Sequence, residues 1–426
     1  MEQQAIWAIV IFLVTYGMII AEKIHRTIVA MLGAVIIVVF GIVDQESALH
    51  HIDFNTLGLL VGMMIIVGIT AETGFFKYLA VLAAKKAKGD PVRIMALLSL
   101  ITAGGSALLD NVTTVLLMVP ILFSITRQLQ VPPVPFLITQ IIACNIGGTA
   151  TLIGDPPNIM IGSAVKELTF MAFINNLAPI AALIMAVHIP LFIWLFRNKI
   201  RTTDELKANV MKLDEKELIE DRKLLVKSLS VLGLTIVGFF LHQLVHLESA
   251  TVALAGAFLL LLLTGEHGME EAFAKVEWTT IFFFVGLFVL VSGLVETGVI
   301  AELAAQAIEL TGGDPVFTSM LILWLSAIAS AFLDNIPFVA TMIPMIQEMG
   351  QLGIADLEPL WWSLALGACL GGNGSLIGAS ANLIVAGMSG KEGHPITFMH
   401  YLKIGFPLML LSVAMASAYI YLRYLI

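Results

Sequence analysis

The sequence predicts an all-α polytopic membrane protein made of two inverted repeats. Three observations carry this reading. The 426 residues are 59% hydrophobic and 12% charged with a mean hydropathy of +0.97, more apolar surface than a water-soluble domain can hide. Apolar runs of roughly 17 to 25 residues, the length that crosses a bilayer core, recur along the chain. A constant offset of 224 residues, Asp110 to Asp334, superimposes the first half of the chain on the second.

Taken in order, residues 1–196 form the first repeat. Apolar runs place its spans near 5–21, 27–43, 54–71 and 170–196, with a hairpin over about 91–126 and a broken helix over 134–162. The linker 197–225, "RNKIRTTDELKANVMKLDEKELIEDRKLL", is the only long charged stretch and belongs outside the bilayer. The second repeat, 226–426, has spans near 228–245, 249–264, 278–295 and 403–425, a hairpin at 315–349 and a broken helix at 358–388. Five spans and one hairpin make each repeat enter the membrane from the side opposite its partner. Segments 75–88 and 299–311 read as amphipathic helices along the interface, arms joining a fixed part to a moving part.

No basic region precedes the first apolar run ("MEQQ"), and "EKIHR" follows it, which predicts an uncleaved first span with its N-terminus outside. That orientation puts every Lys and Arg except Lys166 and Arg423 on the cytoplasmic side, the linker included, as in a bacterial inner membrane. Because topology accounts for the basic residues, nucleic acid is excluded as a partner. Cys144 and Cys369 fall within spans and imply no disulfide framework; they read as packing residues, with metalloid binding as the alternative. His50, His51, His242 and His246 read as surface residues of outer loops.

The repeat is legible in polar residues, where chance similarity of greasy helices fails. Glu72-Thr73-Gly74 matches Glu296-Thr297-Gly298, and Gly89-Asp90-Pro91 matches Gly313-Asp314-Pro315. "SALLDNVTTVLLMVP" (106–120) and "SAFLDNIPFVATMIP" (330–344) share eight of 15 residues. "GGTATLIGDPPN" (147–158) aligns with "GGNGSLIGASAN" (371–382).

Each Asp-Asn segment reads as a re-entrant helix-tip-helix, because broken backbone is tolerated in lipid only under cover of protein or water. Asp110 and Asp334 cap the second hairpin helices, and Pro337 sits in a first turn where proline is welcome. Capping alone needs no ionisable group, so both aspartates are candidate ion ligands. Gly147 and its neighbours unwind the second broken element; Asp155 caps its restart at Pro156-Pro157, and Ser380 takes that role in the other repeat. Free carbonyls, Thr149, Thr151, Ser375 and a carboxylate make a hard-cation site, and helix N-termini suit anions. Thr113, Thr114, Asn145, Asn158, Ser330, Asn373 and Asn382 complete the candidate set. Glu72 and Glu296, at equivalent span ends, are candidates for coupling. The predicted core holds three aspartates and no Lys or Arg, which favours a cation, protons or a neutral solute over a dianion. No hydrolase or phosphate-loop arrangement is present, so enzyme catalysis and organic cofactors are not expected.

The motifs "LDNVTT", "GGTATLIGDPPN", "LDNIPFVATMIP" and "GACLGGNGSLIGASAN" resemble the ArsB/NhaD branch of the ion transporter superfamily, above all its P-permease (melanosomal P protein-like) group. The resemblance spans nearly the whole chain. It implies an elevator-type homodimer, with hairpins and broken helices in a moving transport domain. Similarity to the sodium/proton antiporters of that branch assigns ion binding to Asp110, Asn111, Thr113, Thr114, Asn145, Asp155, Ser330, Asp334 and Asn335. The chain departs from them after Asp155, where "GDPPN" replaces a Thr-rich continuation. It also lacks the Ser-Asn-Thr tips of dicarboxylate transporters, so citrate and succinate are not the expected cargo. The expectation is a secondary ion transporter coupled to sodium or protons, with sodium/proton antiport leading. Arsenite or antimonite efflux is the first alternative, and an anion transporter or passive anion channel the last.

Overall fold

The computed structural model describes residues 2–21, 23–241, 246–265 and 268–426, so His242 and the end of the predicted span 228–245 lie outside the described residues. Among the described residues the chain is helical throughout. Helices α1 (Glu2–Ala21), α2 (Arg26–Val39) and α3 (Gln45–His50) lead into α4 (Phe54–Glu72) and α5 (Phe75–Lys86). The first hairpin is α6 (Pro91–Ser106) and α7 (Asn111–Leu129). The first broken helix is α8 (Val134–Gly148) and α9 (Pro156–Ala164), followed by α10 (Phe170–Phe196). The linker carries α11 (Asp204–Met211) and a 3₁₀ turn at Lys216–Leu218. Then come α12 (Arg222–Leu241), α13 (Ser249–Thr264), α14 (Met269–Ala274), α15 (Trp278–Glu296) and α16 (Val299–Thr311). The second hairpin is α17 (Pro315–Phe332) and α18 (Asn335–Gln351); the second broken helix is α19 (Glu358–Gly371) and α20 (Ser380–Lys391). Helix α21 (Phe398–Ile420) ends in a π turn at Tyr421–Leu425.

Eight of these helices are long and apolar enough to cross a membrane: α1, α4, α7, α10, α12, α15, α17 and α21. The chain is therefore an all-helical polytopic membrane protein. Helix α2 stops at Val39, short of the predicted span 27–43, because Gly41 takes φ +66° and turns the chain. The hairpin arms α7 and α17 are full-length apolar helices, longer than half-way elements need be.

The repeat recurs in the elements, since the consecutive helices α3 to α9 each begin 224 residues before α14 to α20 (Gln45 to Met269, through Pro156 to Ser380). The halves interlock, with α2 packed on α15 and α13 on α4. Small residues allow that approach: a methyl added at Gly62 would lie 2.6 Å from the Ala253 backbone, and one at Gly286 2.7 Å from that of Ala30. Helices α4 and α15 run in opposite directions, as two ion pairs at their ends establish. Glu72 closes α4 and meets Lys275 ahead of α15 at 2.8 Å, while Glu296 closes α15 and meets His51 ahead of α4 at 3.0 Å. Inside this frame, α6 packs on α8 and α17 on α19, and the return arms cross over, α7 onto α20 and α18 onto α9.

The linker is a strap over the first repeat. Lys85 Nζ reaches the Leu213 carbonyl at 3.0 Å, Lys77 pairs with Glu220 at 2.9 Å, and the Glu220 amide donates to Thr73 O at 3.0 Å. Gly74 starts α5 at φ +78°, and a β-carbon there would lie 1.8 Å from the Leu218 carbonyl oxygen. Its counterpart Gly298 has φ +77° and open space. Gly74→Ala should therefore lower thermal stability well beyond Gly298→Ala. The latter bears only the left-handed backbone penalty, about 1–2 kcal/mol. Melting curves of the two variants in detergent check this, and equal shifts would show the strap to be loose.

Candidate functional site

The site forms where both tips and both unwound segments converge. Asp110 and Asp334 occupy N-cap positions as the sequence predicts: Asp110 Oδ1 accepts from the Thr113 amide at 2.9 Å, and Asp334 Oδ1 from that of Ile336 at 3.0 Å. Asp155 and Ser380 do not cap. Asp155 precedes α9 but accepts no cap bond; instead its Oδ2 faces Asn335 Nδ2 at 3.5 Å. Ser380 is the first residue of α20, with Ala379 at the cap, and its hydroxyl donates to Asp334 Oδ2 at 2.9 Å. In both places the polar side chain faces another element, leaving local capping unmade.

Sequence reasoning gave the unwound carbonyls to a cation, but several are satisfied within the chain. Asn158 Nδ2 donates to Thr151 O at 2.9 Å and Thr149 O at 3.2 Å. The equivalent Asn382 donates to Gly372 O at 2.7 Å and Ser375 O at 2.9 Å. The hydroxyls of Thr151 and Ser375 fasten the segments to the hairpins through Ala107 O and Ala331 O. Ser330 bonds Ala368 O at 2.6 Å, and Thr149 bonds Asn145 O at 2.8 Å. Every buried backbone acceptor needs a partner, and these side chains supply it where the helices break.

An amide relay joins the halves. Because Asn382 Nδ2 is committed to carbonyls, its Oδ1 points outward and accepts from Asn145 Nδ2 at 3.1 Å. The same Asn145 nitrogen donates to Asn373 Oδ1 at 3.0 Å, and Asn111 Nδ2 approaches Asn145 Oδ1 at 3.5 Å. Asn373 Nδ2 and Thr114 Oγ1 are buried with no hydrogen-bond partner among the described residues. Buried polar groups without a partner are uncommon, and Asn373 is itself a member of the relay.

A cavity of about 30 Å³ lies against the relay, lined by the carboxylates of Asp110, Asp155 and Glu277 and by Asn111, Asn335 and Arg26. That volume admits a dehydrated ion or a water molecule and excludes a tricarboxylate. A second cavity, about 370 Å³, adjoins it; Arg26 and Ser380 line both, and Asp334 lines the larger one. A third, about 250 Å³, is lined by His51, Asp53 and Val295 at the opposite end of the α4–α15 pair. The expectation of a core without basic residues is thus corrected. Arg26, which sequence reading assigned to an inner loop, places Nη1 2.5 Å from Asp334 Oδ2 and 2.7 Å from Ser380 Oγ.

The sequence profile of the citrate transporter family matches residues 16–367, most of the chain. The chain belongs to this family. Its relatives include a protein named as an uncharacterized transporter in Mycobacterium tuberculosis, 43% identical over 98% of both chains. A 46 kDa membrane protein of Mycobacterium leprae is 40% identical over 98% of this chain and 99% of its own. The human P protein is 34% identical over the whole of this chain, which spans 60% of the P protein's length. Among solved structures, the YdaH transporter of Alcanivorax borkumensis shares the fold at 12% identity, with a TM-score of 0.56 over 88% of this chain and 86% of that one. As a citrate transporter family member, the chain is a secondary transporter and not an enzyme.

For this family member the structure gathers Asp110, Asn111, Asp155, Asn335 and Ser380 on the small cavity. Asn145, Asn373 and Asn382 form the relay behind it. Gly147 lies beneath the relay, where a methyl would meet Ala103 O at 2.1 Å. Glu72 and Glu296 are not gathered there; they sit in the two end pairs. Cys144 and Cys369 are both buried, Cys144 within reach of Ser106 Oγ at 3.3 Å and Cys369 of Asn158 Oδ1 at 3.5 Å. Among the described residues no cluster of three metal-ligating side chains occurs.

Sequence reasoning missed Arg26 and Glu277. Both carried a signal. Glu277 is the 224-residue counterpart of Asp53, and each precedes the first residue of its helix, α15 and α4. Arg26 has Ala250 as its counterpart and opens α2, where the helix dipole disfavours a cation unless a partner carboxylate repays it.

Proposed function

We propose that the chain is a cation-coupled secondary transporter working by alternating access, with sodium/proton antiport as the leading reaction. The observation that carries the reading is the small cavity: three carboxylates and one guanidinium line about 30 Å³, so the ionised site holds surplus negative charge and room for a bare ion. Sodium or a proton relieves that charge; an anion increases it. The antiparallel α4 and α15 and the crossed packing of the halves support inverted repeats, with the hairpin tips re-entering half-way. In this reading the hairpins and broken helices move as one body against α1, α2, α4, α12, α13 and α15, with α5 and α16 as arms. Sodium-binding roles within the ArsB/NhaD branch, and a homodimer, rest on the motif resemblance. The topology is a cytoplasmic membrane with the N-terminus outside and the linker inside. It fits the ion pairs Arg127–Glu392 and Lys166–Glu248, each of which joins residues assigned to the same side.

A second reading, transport of a carboxylate, is favoured by Arg26 on the larger cavity, whose 370 Å³ fits a small organic acid. Neutral arsenite or antimonite has weaker support, because Cys144 and Cys369 are buried and line none of these three cavities.

One experiment separates these readings. Proteoliposomes with an acid-loaded lumen receive external sodium, lithium or potassium, and luminal pH is followed. Wild type should alkalinise the lumen with sodium, and Asp110→Asn and Asp334→Asn should each lose at least 90% of the rate, about 1.4 kcal/mol or more of coupling. Proton flux indifferent to every cation, together with uptake of labelled citrate, would replace antiport with carboxylate transport.

A further inference from the structure

The large and small cavities share one pair of lining residues. Arg26 and Ser380 line both cavities, and Asp334, which Arg26 grips at 2.5 Å, lines only the large one. Arg26 therefore borders both the cavity lined by Asp110, Asp155 and Glu277 and the larger one beside it. The guanidinium also lies over the Phe283 ring, 4.9 Å from its centroid, a cation–π contact that leaves its charge in place.

The two ends of this bridge belong to different bodies. Arg26 opens α2, which packs on α1 and α15, and Thr27 Oγ1 next to it bonds Thr279 O on α15 at 2.7 Å. Asp334 is a hairpin tip and Ser380 begins a broken helix. Tyr16 of α1 also bonds the second hairpin, at Pro337 O and, at 3.1 Å, Thr341 Oγ1. A cation fixed to the frame thus holds a carboxylate fixed to the hairpin, beside a cavity whose charge calls for a cation.

We infer that Arg26 is a tethered cation: it stands in for the coupling ion at Asp334, seals the small cavity from the large one, and must leave Asp334 before the ion enters and the hairpin moves. The ion role rests on the cation-coupled reading above; the seal does not. Charge-assisted hydrogen bonds are the strong kind, and a guanidinium held by a carboxylate and a hydroxyl does not open freely. A mobile cation displaces it by offering Asp334 the same charge without the link to α2. Arg26 is a positioning residue in this scheme. It sets the affinity for the ion and the timing of opening, and carries no cargo.

The test uses thiol labelling, which needs no transport. Thr280 lines the small cavity, and the native Cys144 and Cys369 are buried, so Thr280→Cys reports access. Purified protein in nanodiscs is labelled with a small cationic methanethiosulfonate, with the unsubstituted chain as background. Arg26→Gln should raise the labelling rate by about tenfold, and Arg26→Lys should stay near the parent. Asp334→Asn, which removes the partner and keeps its shape, should raise it to a similar degree and covers the case in which Arg26→Gln does not fold. Unchanged labelling in both would overturn the seal. In the vesicle assay the half-saturating sodium concentration should fall severalfold in Arg26→Gln. A fall in maximal rate with no change in sodium affinity would overturn the competition and leave only a structural tie. If wild type shows no cation response at all, the coupling reading fails while the labelling result still decides the seal.

Discussion

Gly147→Ala should leave almost no transport-competent protein. The methyl would sit 2.1 Å from Ala103 O and 2.5 Å from its Cα, so it meets backbone, which no rotamer change relieves. The counterpart Gly371→Ala meets Ala327 O at 2.5 Å in the second repeat. Overpacking of side chains costs about 1–3 kcal/mol, and a backbone clash of this depth belongs at or above the upper end. The seam it would open is the one between α6 and α8, where Thr151 and Asn158 also hold the unwound segment in place. Gly104→Ala is the control: it directly follows Ala103 in α6, with nothing within 4 Å of the added carbon. Size-exclusion profiles and sodium-driven flux should separate the two; a monodisperse, active Gly147→Ala protein would mean that the two helices stand farther apart than described.

Asn145→Leu should retain a folded chain and abolish transport. Leucine keeps the volume but removes both donors that Asn145 directs to Asn373 and Asn382, leaving two buried amide oxygens unpaired at about 1–3 kcal/mol each. The melting temperature should drop, and the flux is expected to drop far more, because the relay bonds one repeat to the other. Asn145 belongs to the first half, and both its acceptors to the second. Comparable transport by Asn145→Leu and wild type would show that the relay is structural packing and that the halves communicate elsewhere. A loss confined to stability, rescued at low temperature, would point the same way.

Much of this could be read without coordinates, for a physical reason. Bilayer thickness fixes span length, and backbone satisfaction forbids breaks in lipid, so apolar runs, glycines and prolines mark the elements. The 224-residue offset placed α4 and α15, and the hairpin tips Asp110 and Asp334, because a duplicated sequence keeps the polar residues that cannot be exchanged in a membrane. Even the N-cap roles of both aspartates follow from local chain geometry.

What the sequence could not supply is which polar groups spend themselves on one another. Thr151, Ser375, Asn158 and Asn382 read as ligands because their carbonyl partners are seven to ten residues away or in a hairpin. Arg26 is 308 residues from Asp334 and Tyr16 is 321 from Pro337, and no local periodicity records such pairings. The sequence by itself determined a twofold-repeated helical membrane transporter with carboxylates at its breaks, since those follow from solvation and chain geometry over a few turns. Only the tertiary structure decided that a guanidinium lines the carboxylate cavity and pairs with a hairpin tip. That contact arises from packing α2 of one half against α15 and the hairpin of the other, at a distance along the chain where charge and shape alone select the partner.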